Sequence, residues 1–238
     1  MAEENQHPSS AKEAKFDAYA KDYERLHRNN ITASGEQPAY FADYKVDCIR
    51  RLVGSGYDEP ILDYGCGVGS LTERLIGQFS KVSGFDLSAT SVAEARTRAA
   101  TATFYDNAAA IPRAYFGIIV VANVLHHVPP AERVALVSQL AHCLQPGTGK
   151  LVVFEHNPYN PLTRRAVATC EFDDDAILLG PVELTQLLST SGLVGAKRRF
   201  IVFFPRALSG LRRLEPHLGW LPIGAQVMAQ ATAPARGQ

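Results

Sequence analysis

The sequence contains 238 residues, the length of one large domain or two small ones. With 46% hydrophobic and 20% charged residues, it has the composition of an ordinary soluble protein. The 24 basic and 24 acidic side chains cancel, so no overall field would attract nucleic acid or an anionic membrane. The longest nearly unbroken apolar run, residues 116–125, is far shorter than the ~20 residues of a membrane span, and the acidic, polar N-terminus has the character of neither a secretion signal nor a transit peptide.

The N-terminal part predicts a helical cap over residues 11–56, after a disordered tail at residues 1–10. Residues 11–28 carry apolar side chains at steps of three and four, the pattern of an amphipathic helix. A second helix is predicted from Pro38, a residue type favoured in the first helical turn, to about Val53, which precedes two glycines.

From residue 57 the sequence alternates short apolar strands with helices. Five strands are predicted in PILDYG, KVSGFDLS, TATFYD, YFGIIVVAN and GKLVVFEH. After an irregular stretch at 157–180, a helix over 181–191 precedes a strand in AKRRFIVFF and a final strand near 223–229. Strands alternating with helices predict an α/β fold, a Rossmann-like, doubly wound sheet of seven strands within residues 57–230, followed by a disordered tail at 231–238.

A glycine-rich turn follows the first predicted strand. Gly65, Gly67 and Gly69 stand where a buried strand must turn sharply into a helix, and glycine there allows positive φ and close approach of a ligand. The spacing is not that of a nicotinamide site, because Ser70 occupies the position of its third glycine. Asp63 would repel a pyrophosphate and favours a ligand that carries a cation. The alternative interpretation is a tight turn that binds no ligand.

Two acidic positions follow the next two strands. Asp86 comes 21 residues after Gly65 at the end of the second strand, where a carboxylate can accept both ribose hydroxyls of a nucleoside. Asp106 and Asn107 follow the third strand and could contact an adenine edge. The alternatives are a helix N-terminal neighbour for Asp86 and an ordinary turn for the other pair.

These segments resemble the class I S-adenosylmethionine-dependent methyltransferases over roughly residues 59–229. The motifs DYGCGVG, FDLS, ANVLHHVP and LQPGTGKLVVFEH stand in the order of that family. The resemblance implies a mostly parallel seven-stranded sheet whose last strand is antiparallel, and S-adenosyl-L-methionine as cofactor. It also implies a set of cofactor-binding residues: Asp63, Gly65 and Gly67 at the methionine part and sulfonium, Asp86 and Leu87 at ribose and adenine, Asp106 and Asn107 at adenine, and Asn123 near the sulfonium. One departure is Gly117, where many members carry Asp, and we expect it to affect packing.

Candidate acceptor-side residues follow the fourth and fifth strands. His127 aligns with a histidine of many family members and is interpreted as a catalytic imidazole that removes a proton from the methyl acceptor. The alternative is that His126 and His127 only cap the next helix and pack beneath the cofactor. At the end of the fifth strand, His156 is a second catalytic candidate and Tyr159 a substrate contact. The alternative is that this stretch only turns the chain.

Further substrate contacts are predicted outside these strands. Tyr19 and Tyr23, one turn apart on the first helix, either close over the active site or form the apolar stripe that docks the helix. The segment 157–180 is expected to form a substrate-specific wall, and its acidic run at 171–175 to be a solvated loop.

No metal site is predicted, since no histidines, cysteines and carboxylates show ligand spacing. The four cysteines form no C-x-x-C pair, which favours a reducing cytoplasm.

The predicted function is transfer of a methyl group from S-adenosylmethionine to a small-molecule acceptor, as O- or N-methylation in secondary or cofactor metabolism. We expect no nucleic-acid partner and no stable membrane insertion. One alternative is a lipid or quinone-like acceptor met at a membrane surface, because basic and apolar side chains interleave over residues 197–220; the simpler interpretation there is an edge strand and a surface helix with solvated arginines. The other alternative is a scaffold that binds cofactor without catalysis.

Overall fold

A seven-stranded mixed sheet organises the protein in the computed structural model, which describes residue 31 and residues 34–237. The strands are β1 (Ile61–Tyr64), β2 (Val82–Phe85), β3 (Thr103–Tyr105), β4 (Ile118–Ala122), β5 (Lys150–His156), β6 (Val194–Ile201) and β7 (Gln226–Thr232). The α-helices are α1 (Pro38–Val53), α2 (Ser70–Ile76), α3 (Ala89–Arg98), α4 (Pro130–Cys143), α5 (Pro161–Ala168) and α6 (Pro181–Thr190). Short 3₁₀ segments lie at Ala108–Ala110, Leu125–His127, Glu171–Asp173 and Arg206–His217.

The strand order is β3-β2-β1-β4-β5-β7-β6. The first five strands pair in parallel, whereas β7 is antiparallel to both β5 and β6. The predicted seven-stranded, mostly parallel sheet with an antiparallel last strand is therefore confirmed. The carboxyl ends of β1, β2, β4 and β5 meet at one edge, where ligands of doubly wound sheets bind.

Two hydrophobic layers bury the central strands from both faces, which explains their continuous apolar sequence. Ile119 and Val121 of β4 pack into the layer beneath α4 and α6, and Ile118 and Val120 into the opposite layer. Residues of α1 and α2 complete that second layer, including Ile49 and Leu75, which are fully buried.

The predicted helix from Pro38 to Val53 is confirmed as α1. The other predicted cap helix, residues 11–28 with Tyr19 and Tyr23, lies outside the described residues. No helix within the described part of the chain combines the length and the apolar character that a membrane span requires.

The structure differs from the sequence prediction at the end of β7 and within the stretch 157–180. β7 runs to Thr232 instead of ending near residue 229, because it pairs along its whole length with β5, and Ala231 and Ala233 are buried. The prediction of a disordered tail is therefore wrong for residues 231–233. The stretch 157–180, predicted as irregular, contains α5, whose N-terminus is capped by the Asn160 side chain with Pro161 in the first turn.

Gly117 precedes β4 at a position where packing requires glycine. A Cβ atom there would lie 2.2 Å from the Tyr57 hydroxyl oxygen and 2.6 Å from Glu59 Cβ. Because Tyr57 fills the space that a side chain at residue 117 would need, the departure from the family pattern affects packing, as expected.

The connection between β6 and β7 holds α1 over the carboxyl edge of the sheet. The buried Glu215 carboxylate accepts hydrogen bonds from the Phe203 and Phe204 amides and from the Tyr44 hydroxyl of α1. The Arg212 guanidinium stacks on the Tyr40 ring, 4.3 Å from its centroid, and pairs with Glu36. β6 is the predicted edge strand, but Arg212 is held by these contacts and is not simply solvated.

Candidate active site

The glycine turn after β1 has the positive φ angles that its sequence predicted. Gly65, Gly67 and Gly69 have φ of +78°, +50° and +80°, values that residues other than glycine rarely adopt. A Cβ at Gly65 would lie 2.4 Å from Val124 Cγ2, whereas a Cβ at Gly67 would meet nothing within 4 Å. Gly65 is thus required for packing, and Gly67 keeps its backbone open to an approaching ligand.

Asp86 ties the glycine turn to the end of β2. One carboxylate oxygen accepts the Gly67 amide at 2.8 Å and the other accepts the Ser88 amide at 2.9 Å. Ser88 in turn caps α3, its hydroxyl accepting the Ser91 amide at 3.0 Å. These contacts are those of the helix-neighbour interpretation of Asp86, and its contact with a ribose stays a prediction.

Asp63 lies behind the glycine turn and not at a ligand surface. Its carboxylate is only 1% exposed and accepts a hydrogen bond from the Thr72 hydroxyl at 2.7 Å. Burial, assisted by the nearby charge of Asp86, raises the pKa of Asp63 to about 7. The observed contact of Asp63 is therefore with the start of α2, whereas the sequence predicted a contact with a cationic ligand.

One large cavity, about 730 Å³, opens at the carboxyl edge of the sheet. Gly65, Gly67, Asp86, Leu87 and Asn123 line one part of it, and His126, His127, His156 and Asp173 line another. Its remaining walls are mainly apolar and come from α1, α4, α5 and the connection between β6 and β7.

Four of the predicted site residues within the described part of the chain do not border this cavity, and Asp63, described above, is one of them. Asn107 caps the 3₁₀ segment that follows β3, its side-chain oxygen accepting the Ala109 amide at 2.8 Å. Asp106 lies 3.9 Å from the Arg96 guanidinium at the surface. Tyr159 is 60% exposed. Here the turn interpretations, which the sequence also allowed, describe the geometry.

Three buried polar atoms in the described residues have no hydrogen-bond partner, and all three belong to residues lining this cavity: Tyr40 Oη, Asn123 Oδ1 and Gln226 Oε1. Buried polar groups in folded proteins are nearly always paired. Asn123 also has φ of +57°, a left-handed conformation that asparagine tolerates better than most residues. The walls of the cavity therefore contain buried polar atoms that have no partner within the described residues. Tyr40 and Gln226 carried no motif that could have identified them from the sequence.

Lys45 of α1 is a further lining residue that the sequence analysis missed. It is 6% exposed, with its ammonium 5.9 Å from the centre of the Phe154 ring. Among the described residues, no carboxylate oxygen pairs with it, and burial lowers the pKa of Lys45 to about 8. A lone lysine in an amphipathic helix looks like a surface residue until the tertiary structure is known.

His126 is the buried centre of a polar cluster beside the cavity. Its Nδ1 lies 2.6 Å from Glu155 Oε2, and its Nε2 lies 3.5 Å from Asp173 Oδ1. Glu155 is held in turn by the Leu125 amide at 2.8 Å. Burial opposes a charge on His126, but Glu155 and Asp173 outweigh it and raise the pKa of His126 to about 10. His126 thus packs beneath the site, as one interpretation predicted, but in a polar cluster.

His127 and His156 flank His126. His127 places Nε2 3.5 Å from the same Asp173 oxygen and Nδ1 3.2 Å from Asp175 Oδ1. The His156 ring is 5.1 Å from that of His126. Burial, with the charge of His126, lowers the pKa of His127 and brings that of His156 to about 4. Both predicted catalytic histidines therefore line the cavity, and their surroundings favour the neutral imidazole.

The acidic run after α5 is not a solvated loop throughout. The Asp173 side chain is 9% exposed and contacts both histidines. The expectation of solvation is wrong for Asp173, because the turn at 171–173 folds it back onto the 3₁₀ segment that follows β4.

Comparison with known proteins agrees with this geometry. Residues 61–147 match the family described as a methyltransferase domain. A ubiquinone biosynthesis O-methyltransferase from Sodalis glossinidius is 27% identical over 193 residues, covering 76% of this chain and 73% of the relative. Another from Serratia proteamaculans is also 27% identical, and this chain spans about half of its length, 56%.

Solved structures share the fold at low identity. A possible histamine N-methyltransferase from Thermotoga maritima has 19% identity and a TM-score of 0.64, covering 92% of this chain and 97% of that one. The magnesium protoporphyrin IX methyltransferase from Synechocystis, with bound S-adenosylhomocysteine, also has 19% identity and a TM-score of 0.64, covering 94% and 99%. The family match over residues 61–147, which includes the glycine turn, identifies a methyltransferase domain in this part of the chain, and the solved S-adenosylmethionine-dependent methyltransferases share its fold.

Proposed function

We propose that this methyltransferase transfers the methyl group to a hydroxyl oxygen of a small molecule that has an apolar body. The single observation that carries the proposal is the continuous cavity, which joins the glycine turn to a cluster of histidines and carboxylates. The first part suits the cofactor, and the second suits an acceptor group that must lose a proton.

The cofactor-binding residues of the proposal are those that border the cavity. Gly65 and Gly67 would lie against the methionine part, Asp86 and Leu87 would hold the ribose and adenine, and Asn123 Oδ1 would contact the cofactor near its sulfonium. The unpartnered Asn123 oxygen and the open space above Gly67 fit such a ligand. S-adenosylmethionine supplies an electrophilic methyl group and leaves as a neutral thioether. Asp106 and Asn107 are not part of the proposed set, since neither borders the cavity.

Lys45 supports a ligand that carries negative charge. An ammonium buried without a carboxylate partner is costly unless a ligand supplies one. The methionine carboxylate of the cofactor or an acidic group of the acceptor would meet this need. Lys45 belongs to α1, so its pairing would also fix the cap over the bound molecules.

The acceptor end combines apolar walls with the cluster around His127. Phe203, Phe204 and Leu162 line the cavity and suit an apolar or aromatic body. Ordered positioning supplies much of the rate of an in-line displacement, but a hydroxyl must also lose its proton, which is the step that we assign to the cluster of His127 and Asp173. The names of the two curated relatives, both O-methyltransferases, support oxygen over nitrogen as the acceptor atom.

Calorimetry and a methyl-transfer assay test the proposal in sequence. We expect S-adenosylmethionine and S-adenosylhomocysteine to bind with micromolar dissociation constants, about −8 kcal/mol, while NAD does not bind. Methyl transfer should then occur to hydroxylated aromatic compounds and not to amines of matched shape. Binding of NAD in place of S-adenosylmethionine would refute the cofactor assignment. Methylation of the amines alone would refute the choice of oxygen, and cofactor binding without turnover on any acceptor would favour the non-catalytic scaffold.

A lipid or quinone-like acceptor at a membrane surface is the second candidate, favoured by the connection between β6 and β7. This connection lines the cavity with Phe203 and Phe204 and exposes large apolar side chains on its outer side: Leu208, Leu211, Leu214, Trp220 and Ile223. Exposed Arg206 and Arg213 accompany them. After sedimentation with vesicles that contain anionic lipid, we expect the native protein in the vesicle pellet. The double variant Trp220→Ser, Leu211→Ser should stay in the supernatant. Equal partition of both proteins into the supernatant would contradict this candidate.

A further inference from the structure

We propose that His126 Nε2, His127 Nε2 and Asp173 Oδ1 bind one divalent transition-metal ion, with Zn²⁺ as the best match. The three ligand atoms lie within 4.8 Å of one another. Each imidazole nitrogen is 3.5 Å from the Asp173 oxygen, which is longer than a good hydrogen bond. Zinc bonds of ~2.0–2.1 Å in a tetrahedral arrangement separate adjacent ligand atoms by about 3.4 Å. The two nitrogen–oxygen distances therefore match those between ligands of one ion.

The other nitrogen of each imidazole has the partner that a metal-binding histidine needs. His126 Nδ1 lies 2.6 Å from Glu155 Oε2, and His127 Nδ1 lies 3.2 Å from Asp175 Oδ1. A carboxylate at Nδ1 fixes the N–H there, so that the lone pair of Nε2 points at the ion, and it makes the imidazole a stronger ligand. Two such carboxylates, both directing Nε2 toward the same Asp173 oxygen, form an organised second layer around the site.

Ligand chemistry selects the class of ion. Two imidazoles and one carboxylate suit Zn²⁺ and Fe²⁺, whereas Mg²⁺ and Ca²⁺ prefer oxygen ligands alone. Three protein ligands leave one tetrahedral position for water or substrate, as in catalytic zinc sites. All three residues line the cavity, so that position would face the acceptor.

This inference rests on the proposed function and deepens it by naming how the acceptor hydroxyl is activated. Coordinated to the ion, the hydroxyl loses its proton to water, and the oxygen keeps the electron pair of the O–H bond. That pair forms the new bond to the methyl carbon, while the carbon–sulfur bond breaks and its pair stays on sulfur. The ion would then take the role that the sequence assigned to His127 as a free base.

The competing occupant of the cluster is a proton. An imidazolium at His126 between Glu155 and Asp173 would satisfy the same three groups without a metal. The two differ at His127: without a metal ion, His127 Nε2 would face Asp173 as an N–H donor, whereas a metal ion would bind its lone pair. Metal binding is therefore the outcome to measure directly.

The test is calorimetric titration of the chelator-treated, desalted full chain with Zn²⁺, together with metal analysis of the loaded protein. We expect one ion per chain. Asp173→Asn and His127→Ala should each weaken binding by more than about 100-fold, and Asp175→Asn, which changes an exposed side chain, by about 10–100-fold. Asp174→Asn and His142→Gln are matched controls that should bind as the native chain does. Cys170→Ser should also bind normally, which separates the proposed site from a cysteine that faces the same cavity.

Circular dichroism would confirm that each variant is folded. If a variant of a buried residue does not fold, Asp175→Asn, which changes an exposed side chain, still tests the proposal. Absence of a stoichiometric site, or binding unchanged in Asp173→Asn and Asp175→Asn, would overturn the proposal. Loss of binding in Cys170→Ser alone would overturn it as well. S-adenosylmethionine affinity of the metal-free chain is measured in parallel: if it is present while zinc does not bind, only the metal site fails, and if it is absent, the proposed function fails.

Discussion

Replacing Lys45 by methionine should stabilise the protein while it removes a charge from the cavity. Lys45 is 6% exposed and has no carboxylate partner among the described residues. Burial lowers its pKa from 10.5 to about 8, although Cys48, Asp63 and Glu155 favour the charged form. Because the folded state holds the proton less tightly than the unfolded state, the charge destabilises the native protein below pH 8.

The pKa difference sets the size and the pH window of this effect. Each unit of pKa difference corresponds to 1.36 kcal/mol. The charge on Lys45 therefore lowers the free energy of unfolding by about 3 kcal/mol at pH 7 and by about 1 kcal/mol at pH 9.5. The cost is fully present below pH 8 and disappears as the pH rises toward 10.5, where both states are neutral. Methionine has a similar length and no charge, so Lys45→Met should recover that amount.

Thermal and urea unfolding at pH 7 and pH 9.5 would measure the gain. For a chain of this size, about 3 kcal/mol corresponds to a rise in Tm of about 6–12 °C. Lys197→Met, which changes an exposed lysine of β6, is the matched control and should leave Tm nearly unchanged at both pH values. A Lys45→Met protein that is no more stable at pH 7, or whose gain is the same at pH 9.5, would show that Lys45 is hydrated in the folded state.

The site makes further predictions. Asp86→Asn should weaken S-adenosylmethionine binding about 10–100-fold in calorimetry, because charged hydrogen bonds contribute about 1.5–3 kcal/mol. Since Asp86 also accepts hydrogen bonds from the Gly67 and Ser88 amides, a modest fall in Tm should accompany this change. Unchanged affinity would place the ribose elsewhere. Gly67→Ala should cost about 1–2 kcal/mol of stability through its positive φ and also weaken cofactor binding. Gly56→Ala also changes a glycine with positive φ and open surroundings, and Gly56 does not line the cavity, so it should show a stability cost alone. Equal cofactor affinity in both variants would argue against ligand approach at Gly67.

The fold could be predicted because its signals are local. Apolar runs such as residues 118–122 and 151–154 are continuous because both faces of their strands are covered. The glycines at 65, 67 and 69 are required by the backbone conformation of one turn. Asp86 could be placed for a similar reason, since parallel strands bring their carboxyl ends to one edge. The end of β7 could not be predicted, because it is set by pairing with β5 and not by its own sequence.

The functional interior was decided by the tertiary structure. Asp173 looked solvated within an acidic run, and only the folding of its turn onto the segment after β4 brings it to His126 and His127. Lys45 looked like a surface lysine until α1 was packed over the sheet. Asn107 has residue chemistry suited to a ligand, but its side chain is used by the nearest backbone amide. Short-range sequence patterns determine which backbone conformations form, whereas the environment of a polar side chain depends on distant segments, and that environment decides whether it binds a ligand, a metal ion or its own backbone.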